Sequence, residues 1–182
     1  MLPTDTDLIQ QSIQGDFIAF EQLVYRYDRE VLTLAARYTQ SSEDAKDIYQ
    51  EVFLRVYKGL AKFEGKSEFA TWLYRIATNV CLTYKSRKKK AIEISLNEDD
   101  VAVDVVDEQA EKFGTVSDVN DRIQDALKKL SPNQKMVFTL RHFQEHKIKD
   151  IARMMNCAEG TVKKYLFEAT QKMRTHLKDL YE

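Results

Sequence analysis

Apolar residues in this chain recur in steps of three and four, and nowhere over a convincing length do they alternate as in a half-buried strand. Phe17, Phe20, Leu23, Val24, Tyr27, Val31, Leu34, Ala35 and Tyr38 make one stripe, and Ile48, Val52, Val56 and Leu60 a second. Phe69, Trp72, Leu73, Ile76, Ala77, Val80 and Tyr84 make a third. After a gap the pattern returns at Ile123, Ala126, Leu127 and Leu130, and continues through Val137, Leu140 and Phe143. Ile148, Ile151, Ala152 and Met155 make a short stripe, and Val162, Leu166, Ala169, Met173 and Leu177 a longer one. A period of about 3.6 dictates helices that each bury one face, so the chain is expected to be all-α.

Punctuation agrees with the period. Thr4 or Thr6 can cap a first helix that Gly15 ends, Asp16 a second, and Ser41 or Ser42 a third. Ser67 with Glu68 signals the start of the fourth. Ser131 caps a later helix with Pro132 at its first position, where a missing N–H costs nothing. With only five Gly and two Pro, the chain has few breakers elsewhere.

Charge divides the chain where the period lapses. The net charge is −1, yet residues 1–90 balance at +2, residues 91–121 at −9 and residues 122–182 at +6. Residues 91–118 carry no helical stripe of useful length and read as a solvated acidic spacer, with at most a transient helix. The expected organisation is two small helical domains, 5–90 and 119–182, joined by an acidic flexible linker.

Several function classes fall away. No run of about 18 apolar residues and no basic, apolar leader is present, so a cytoplasmic protein without membrane insertion is expected. Cys81 and Cys157 sit at apolar positions without a CxxC and read as buried thiols. No phosphate-binding loop, dinucleotide fingerprint, HExxH or GxSxG occurs. His142 and His146 share one helix face but have no third ligand and read as surface histidines. Asp99, Asp100, Asp104 and Asp107 fall in the linker, which cannot preorganise a site. No catalysis, cofactor or metal is expected.

Two constellations carry chemistry. The first runs from Lys62 to Lys90: a polar loop of Phe63, Glu64, Gly65, Lys66 and Ser67, then an aromatic-rich helix, then the cations Lys85, Arg87, Lys88, Lys89 and Lys90. Such a surface suits a displaced nucleic-acid strand, with a loop for a base and charge for phosphates. Phe, Trp and Tyr at helical spacing are more often core, so Trp72 is expected to support the platform. The second is a helix-turn-helix in which Ala152 allows close crossing and Asn156 tolerates the tight turn. Cys157 fills the corner, and Val162 locks the second helix from inside. That second helix presents Thr161, Lys163, Lys164 and Phe167 outward, as a helix entering a DNA major groove would.

From Leu8 to Leu177 the chain resembles the extracytoplasmic-function sigma factors, the group IV members of the sigma-70 family of bacterial RNA polymerase. The likeness is carried by residues 43–57 (EDAKDIYQEVFLRVY), 63–84 (FEGKSEFATWLYRIATNVCLTY) and 148–173. It implies a promoter-specificity subunit. Asp47, Gln50 and Glu51, with Phe53 or Leu54, would grip core polymerase, and a polar face with one apolar residue suits a reversible interface. Phe63, Glu64, Gly65, Lys66, Ser67 and Asn79 would take a flipped base of the −10 element, with Lys85, Arg87 and Lys88 on its phosphates. Thr161, Lys163, Lys164 and Phe167 would read the −35 duplex. Glu168 departs from the resemblance, because a basic residue is frequent there. The resemblance further implies an anti-sigma partner and a linker lying in the RNA exit path. Two other readings are a helix-turn-helix regulator that never meets polymerase and a sigma-like adaptor that sequesters an anti-sigma factor.

Overall fold

The computed structural model describes residues 2–98 and 117–178, without the side chains of 85, 89–98, 117 and 118. Eight α-helices follow one another among the described residues: α1 (Asp5–Ile13), α2 (Phe17–Thr39), α3 (Ser42–Gly59), α4 (Phe69–Glu98), α5 (Ser117–Lys128), α6 (Pro132–Phe138), α7 (Ile148–Met154) and α8 (Glu159–His176). A 3₁₀ turn, Leu60–Lys62, follows α3, and a π turn, Thr139–Phe143, follows α6. No strand occurs among the described residues.

The helix ends are set by local chemistry. Thr4 and Asp7 close a capping box on α1, and Ser131 and Gln134 close another on α6, with Pro132 in the first turn. Asp16 Oδ1 accepts from the backbone of Ile18 and Ala19, and Ser41 caps α3. Each of these caps lies where the sequence places one. Two boundaries differ. α4 continues to Glu98, into residues read as linker, because residues 91–98 contain no Gly or Pro to stop it. The acidic residues 99–116, with Asp99, Asp100, Asp104 and Asp107 among them, lie outside the described residues. The π turn left no signal in the apolar period, because one extra residue in a turn barely disturbs a short stripe.

The first core is built by α1 to α4. Leu8, Leu23, Leu34, Ile48, Val52, Val56 and Leu73 are essentially fully buried. Removing one such side chain costs about 2–5 kcal/mol. Phe17 does not join them. It is 70% exposed at the start of α2, stacked on the exposed Tyr57 of α3 at 5.7 Å. Phe63, Phe69 and Trp72 form an aromatic cluster with ring centroids 5.1–5.9 Å apart. Trp72 packs against Gly59, where an added Cβ would approach its ring to 3.2 Å. The tryptophan therefore supports the platform, as its helical spacing predicts.

The second unit packs Ala126, Leu127, Leu130, Ala169 and Met173, with Ile123, Phe138 and Phe143 around them. Its other half, from Met136, Val137, Leu140, Ile151, Met154 and Val162, is continuous with the first core through α4. Thr78 on α4 is fully buried and donates to Met154 O at 3.1 Å. Gln40 Nε2 donates to Gln124 O at 2.7 Å, and Gln144 Nε2 to Glu30 O at 3.0 Å. Arg37 lies over the Phe143 ring at 4.2 Å. Tyr74, Thr78 and Cys81 occupy a second buried face of α4, beside the stripe read from the sequence, and this face receives α7. Cys81 is a buried thiol, as expected, and burial pushes its pKa up to about 12.

His146 sits at this junction and is not the surface histidine the sequence suggests. Its ring meets Tyr74 edge-on at 4.7 Å, and its Nε2 is buried with no hydrogen-bond partner among the described residues. Burial holds its pKa below the ordinary 6.5, against the opposing pull of Glu30 and Asp150. The folded chain resists a proton that the unfolded chain accepts near pH 6.5. The contribution of His146 to stability is therefore complete above about pH 6.5 and is lost as the pH falls from there through its lower folded value. The melting temperature is expected to drop between pH 7 and 5.5. His146→Gln should flatten that drop, as thermal denaturation followed by circular dichroism would show; an equally steep drop in the variant would count against the assignment.

Candidate polymerase and nucleic-acid interfaces

On α3 the predicted contact residues divide by face. Gln50 is exposed, and Leu54 is 48% exposed. Phe53 is only 7% exposed, with its ring against Tyr49 at 4.9 Å. Of the two apolar candidates only Leu54 faces outward. Phe53 is corrected to a core residue, because it lies one turn after Tyr49 on the side of α3 that turns inward.

The acidic side of α3 meets the cationic end of α4. Glu51 Oε1 accepts from Arg55 Nε at 2.7 Å and Arg87 Nη1 at 3.3 Å. The Arg55 contact does most to hold the Glu51 carboxyl below its usual range. Lys88 Nζ stands 2.7 Å from Asp44 Oδ1. The Tyr84 hydroxyl lies 2.8 Å from Asp47 Oδ2 and 3.1 Å from Asp44 Oδ1, and burial together with these carboxylates pushes its pKa up. Residues read separately as polymerase-gripping and phosphate-holding thus share one seam. Exposed pairs of this kind are worth about 0–1 kcal/mol each, so Arg87 and Lys88 can exchange a carboxylate for a phosphate at small cost. The Lys85 side chain lies outside the described residues.

The loop before α4 is short and anchored at one end. Phe63 is half-buried against Phe69 and Trp72, so its ring forms the wall of the loop. Glu64, Gly65, Lys66 and Ser67 are exposed. Gly65 adopts a left-handed φ of +67°, which favours glycine there, and Lys66 pairs with Glu64. Asn79 is exposed on α4, and Arg75, one turn earlier, is exposed on the same face. Arg75 interrupts an otherwise apolar run without belonging to a charge cluster, so the sequence does not single it out.

The second unit holds the helix-turn-helix α7–α8. Asn156 takes φ +51° at the turn, and Cys157 N donates to Ala152 O at 3.0 Å. Val162 is fully buried and Ala152 nearly so, which lets the helices cross closely. Outward from α8 stand Lys163, Lys164 and Phe167, the last 66% exposed, while Thr161 is half-buried at the first turn. Lys163, Leu166, Phe167, Thr170, Gln171 and Arg174 line one shallow groove along the helix. Beyond the residues the sequence singles out, the groove adds Thr170, Gln171 and one further cation, Arg174. Arg174 lies outside the N-terminal half of the helix, so the sequence does not single it out.

Among the described residues there is no His, Cys, Asp or Glu cluster that could hold a metal, and no helix long and apolar enough to cross a membrane. Residues 23–91 match Sigma-70 region 2, and residues 120–173 match Sigma-70 region 4. The chain is 34% identical to the ECF RNA polymerase sigma-E factor of Haemophilus influenzae, over 97% of each chain. It is 30% identical to the RNA polymerase sigma-H factor of Pseudomonas aeruginosa, over 97% of this chain and 95% of that one. The fold resembles that of CnrH, solved with the cytosolic domain of CnrY, at a TM-score of 0.69 and 21% identity over 96% of this chain and 97% of that one. The sigma factor RpoE of Bartonella quintana, solved with the anti-sigma factor NepR, gives 0.66 at 23% identity, over 87% of this chain and 96% of that one. Two halves that match regions 2 and 4, in that order, define a sigma factor of the sigma-70 family. The chain belongs to its extracytoplasmic-function branch, the subunits that direct bacterial RNA polymerase to promoters.

Proposed function

We propose that the chain divides its work at the boundaries read from the sequence. Residues 5–90 dock on core polymerase and open the −10 element, and residues 119–182 anchor on duplex −35 DNA. Asp47, Gln50, Glu51 and Leu54 make the polymerase contact. Glu64, Gly65, Lys66, Ser67 and Asn79 surround an extruded base, with Phe63 as the wall behind it. Arg87 and Lys88 leave their α3 partners for the adjoining phosphates. An anti-sigma factor is the inhibitory partner, and the subunit carries out no catalysis of its own.

The observation that supports this best is the outer face of α8. Consecutive helical residues project about 100° apart, so Lys163 and Lys164 diverge while Phe167 stands between them one turn on. A helix lying in a major groove would aim the two lysines at opposite phosphate backbones and the phenylalanine at base edges, where it can meet a thymine methyl group. A regulator that never meets polymerase would leave the exposed Leu54, set among Gln50 and the acidic residues of α3, without a purpose. An adaptor would not need Lys163 and Lys164. Co-purification with core polymerase at low salt, followed by run-off transcription on genomic fragments, tests the reading. A chain that fails to bind core, or binds it without directing initiation, would sink it.

A further inference from the structure

We propose that Glu168 reads a cytosine within the −35 element, an inference that rests on α8 being the helix that enters the major groove. Glu168 follows Lys164 by one turn on α8, at the flank of the exposed face. A loose carboxylate there would only repel phosphate, but this one is held. Its Oε2 accepts from Gln134 Nε2 at 2.8 Å. Gln134 is 7% exposed, and its own Oε1 accepts from Ser131 N at 3.1 Å and Lys172 Nζ at 3.0 Å. With its oxygen occupied by two donors, the Gln134 amide can present only N–H to Glu168.

The arrangement leaves one carboxylate oxygen pinned and the other available. Oε1 lies 4.0 Å from Lys164 Nζ, beyond hydrogen-bond distance, and accepts no hydrogen bond among the described residues. The nearby ammonium offsets the repulsion a bare carboxylate would meet at the duplex. In the major groove, donors are offered by the cytosine N4 amine and the adenine N6 amine. Adenine sets its N7 acceptor beside N6, which repels a carboxylate, whereas cytosine presents no acceptor there. Glu168 therefore selects cytosine and discriminates against the other three bases.

The test uses holoenzyme reconstituted from core polymerase with the wild-type chain, Glu168→Gln or Glu168→Ala. Each is challenged with duplex promoters of fixed −10 sequence and randomised −35 region, and the bound pool is sequenced. Wild type should enrich cytosine at one position by about tenfold, the discrimination expected of a single base contact. Glu168→Gln keeps its tie, because its carbonyl still accepts from Gln134, but turns the free oxygen into an amide donor. It should lose the cytosine preference at that position and leave every other position unchanged. Identical wild-type and Gln profiles would overturn the proposal. So would a uniform gain in affinity for all sequences with Glu168→Ala, which would make the carboxylate a mere repulsive element. A wild-type pool with no preference anywhere in the −35 region would instead overturn the reading of α8 itself.

Discussion

Replacing Lys163 and Lys164 together with alanine is expected to cut promoter-dependent transcription by about tenfold while leaving binding to core polymerase unchanged. Both side chains are exposed on the outer face of α8, and neither contributes to the core. Each lysine that neutralises a phosphate releases a counterion, so the pair should also lower the slope of log affinity against log salt by about 2. Loss of affinity with an unaltered slope would mean that the lysines act otherwise than on phosphate. Full activity in run-off transcription would mean that α8 does not engage the duplex. The α8 backbone should be unaffected, because Lys and Ala are both good helix formers.

The second large effect separates two neighbours on α3. Phe53→Ala removes a buried aromatic ring and is expected to cost about 3 kcal/mol of stability, read by urea denaturation. Leu54→Ala, one residue on, should change stability by no more than about 0.5 kcal/mol. It should nonetheless weaken binding to core polymerase at least about fivefold in a titration with labelled subunit, because an apolar side chain at the centre of a polar contact face carries much of its affinity. A destabilised Leu54→Ala, or one with wild-type affinity, would place the interface elsewhere.

The adjacency of Phe53 and Leu54 shows where sequence reasoning stops. Both are large and apolar, and α3 has a seam of Ile48, Val52, Val56 and Leu60 that either could flank. Only the packing of α3 against its neighbouring helices decides that its buried arc takes in Phe53 and leaves Leu54 outside. His146 is a similar case. A histidine beside Glu145 and Lys147 reads as surface, and its burial against Tyr74 arises only when the second unit closes on α4. The Arg87–Glu51 and Lys88–Asp44 pairs likewise join positions 36 and 44 residues apart.

The all-α fold, the helix caps, the supporting role of Trp72, the helix-turn-helix and the exposed lysines of α8 are all legible in the local sequence. These depend on interactions within a turn or two of the chain: apolar period, Ser and Asp caps, Pro132 and the left-handed tolerance of Asn156. The tertiary structure alone decided which face of α3 is offered to a partner, that the two units share one core through Thr78 and Tyr74, and that Gln134 holds the Glu168 carboxylate from 34 residues away. Such contacts depend on how helices cross. The crossing is set by the packing of all the side chains between them, which no local pattern encodes.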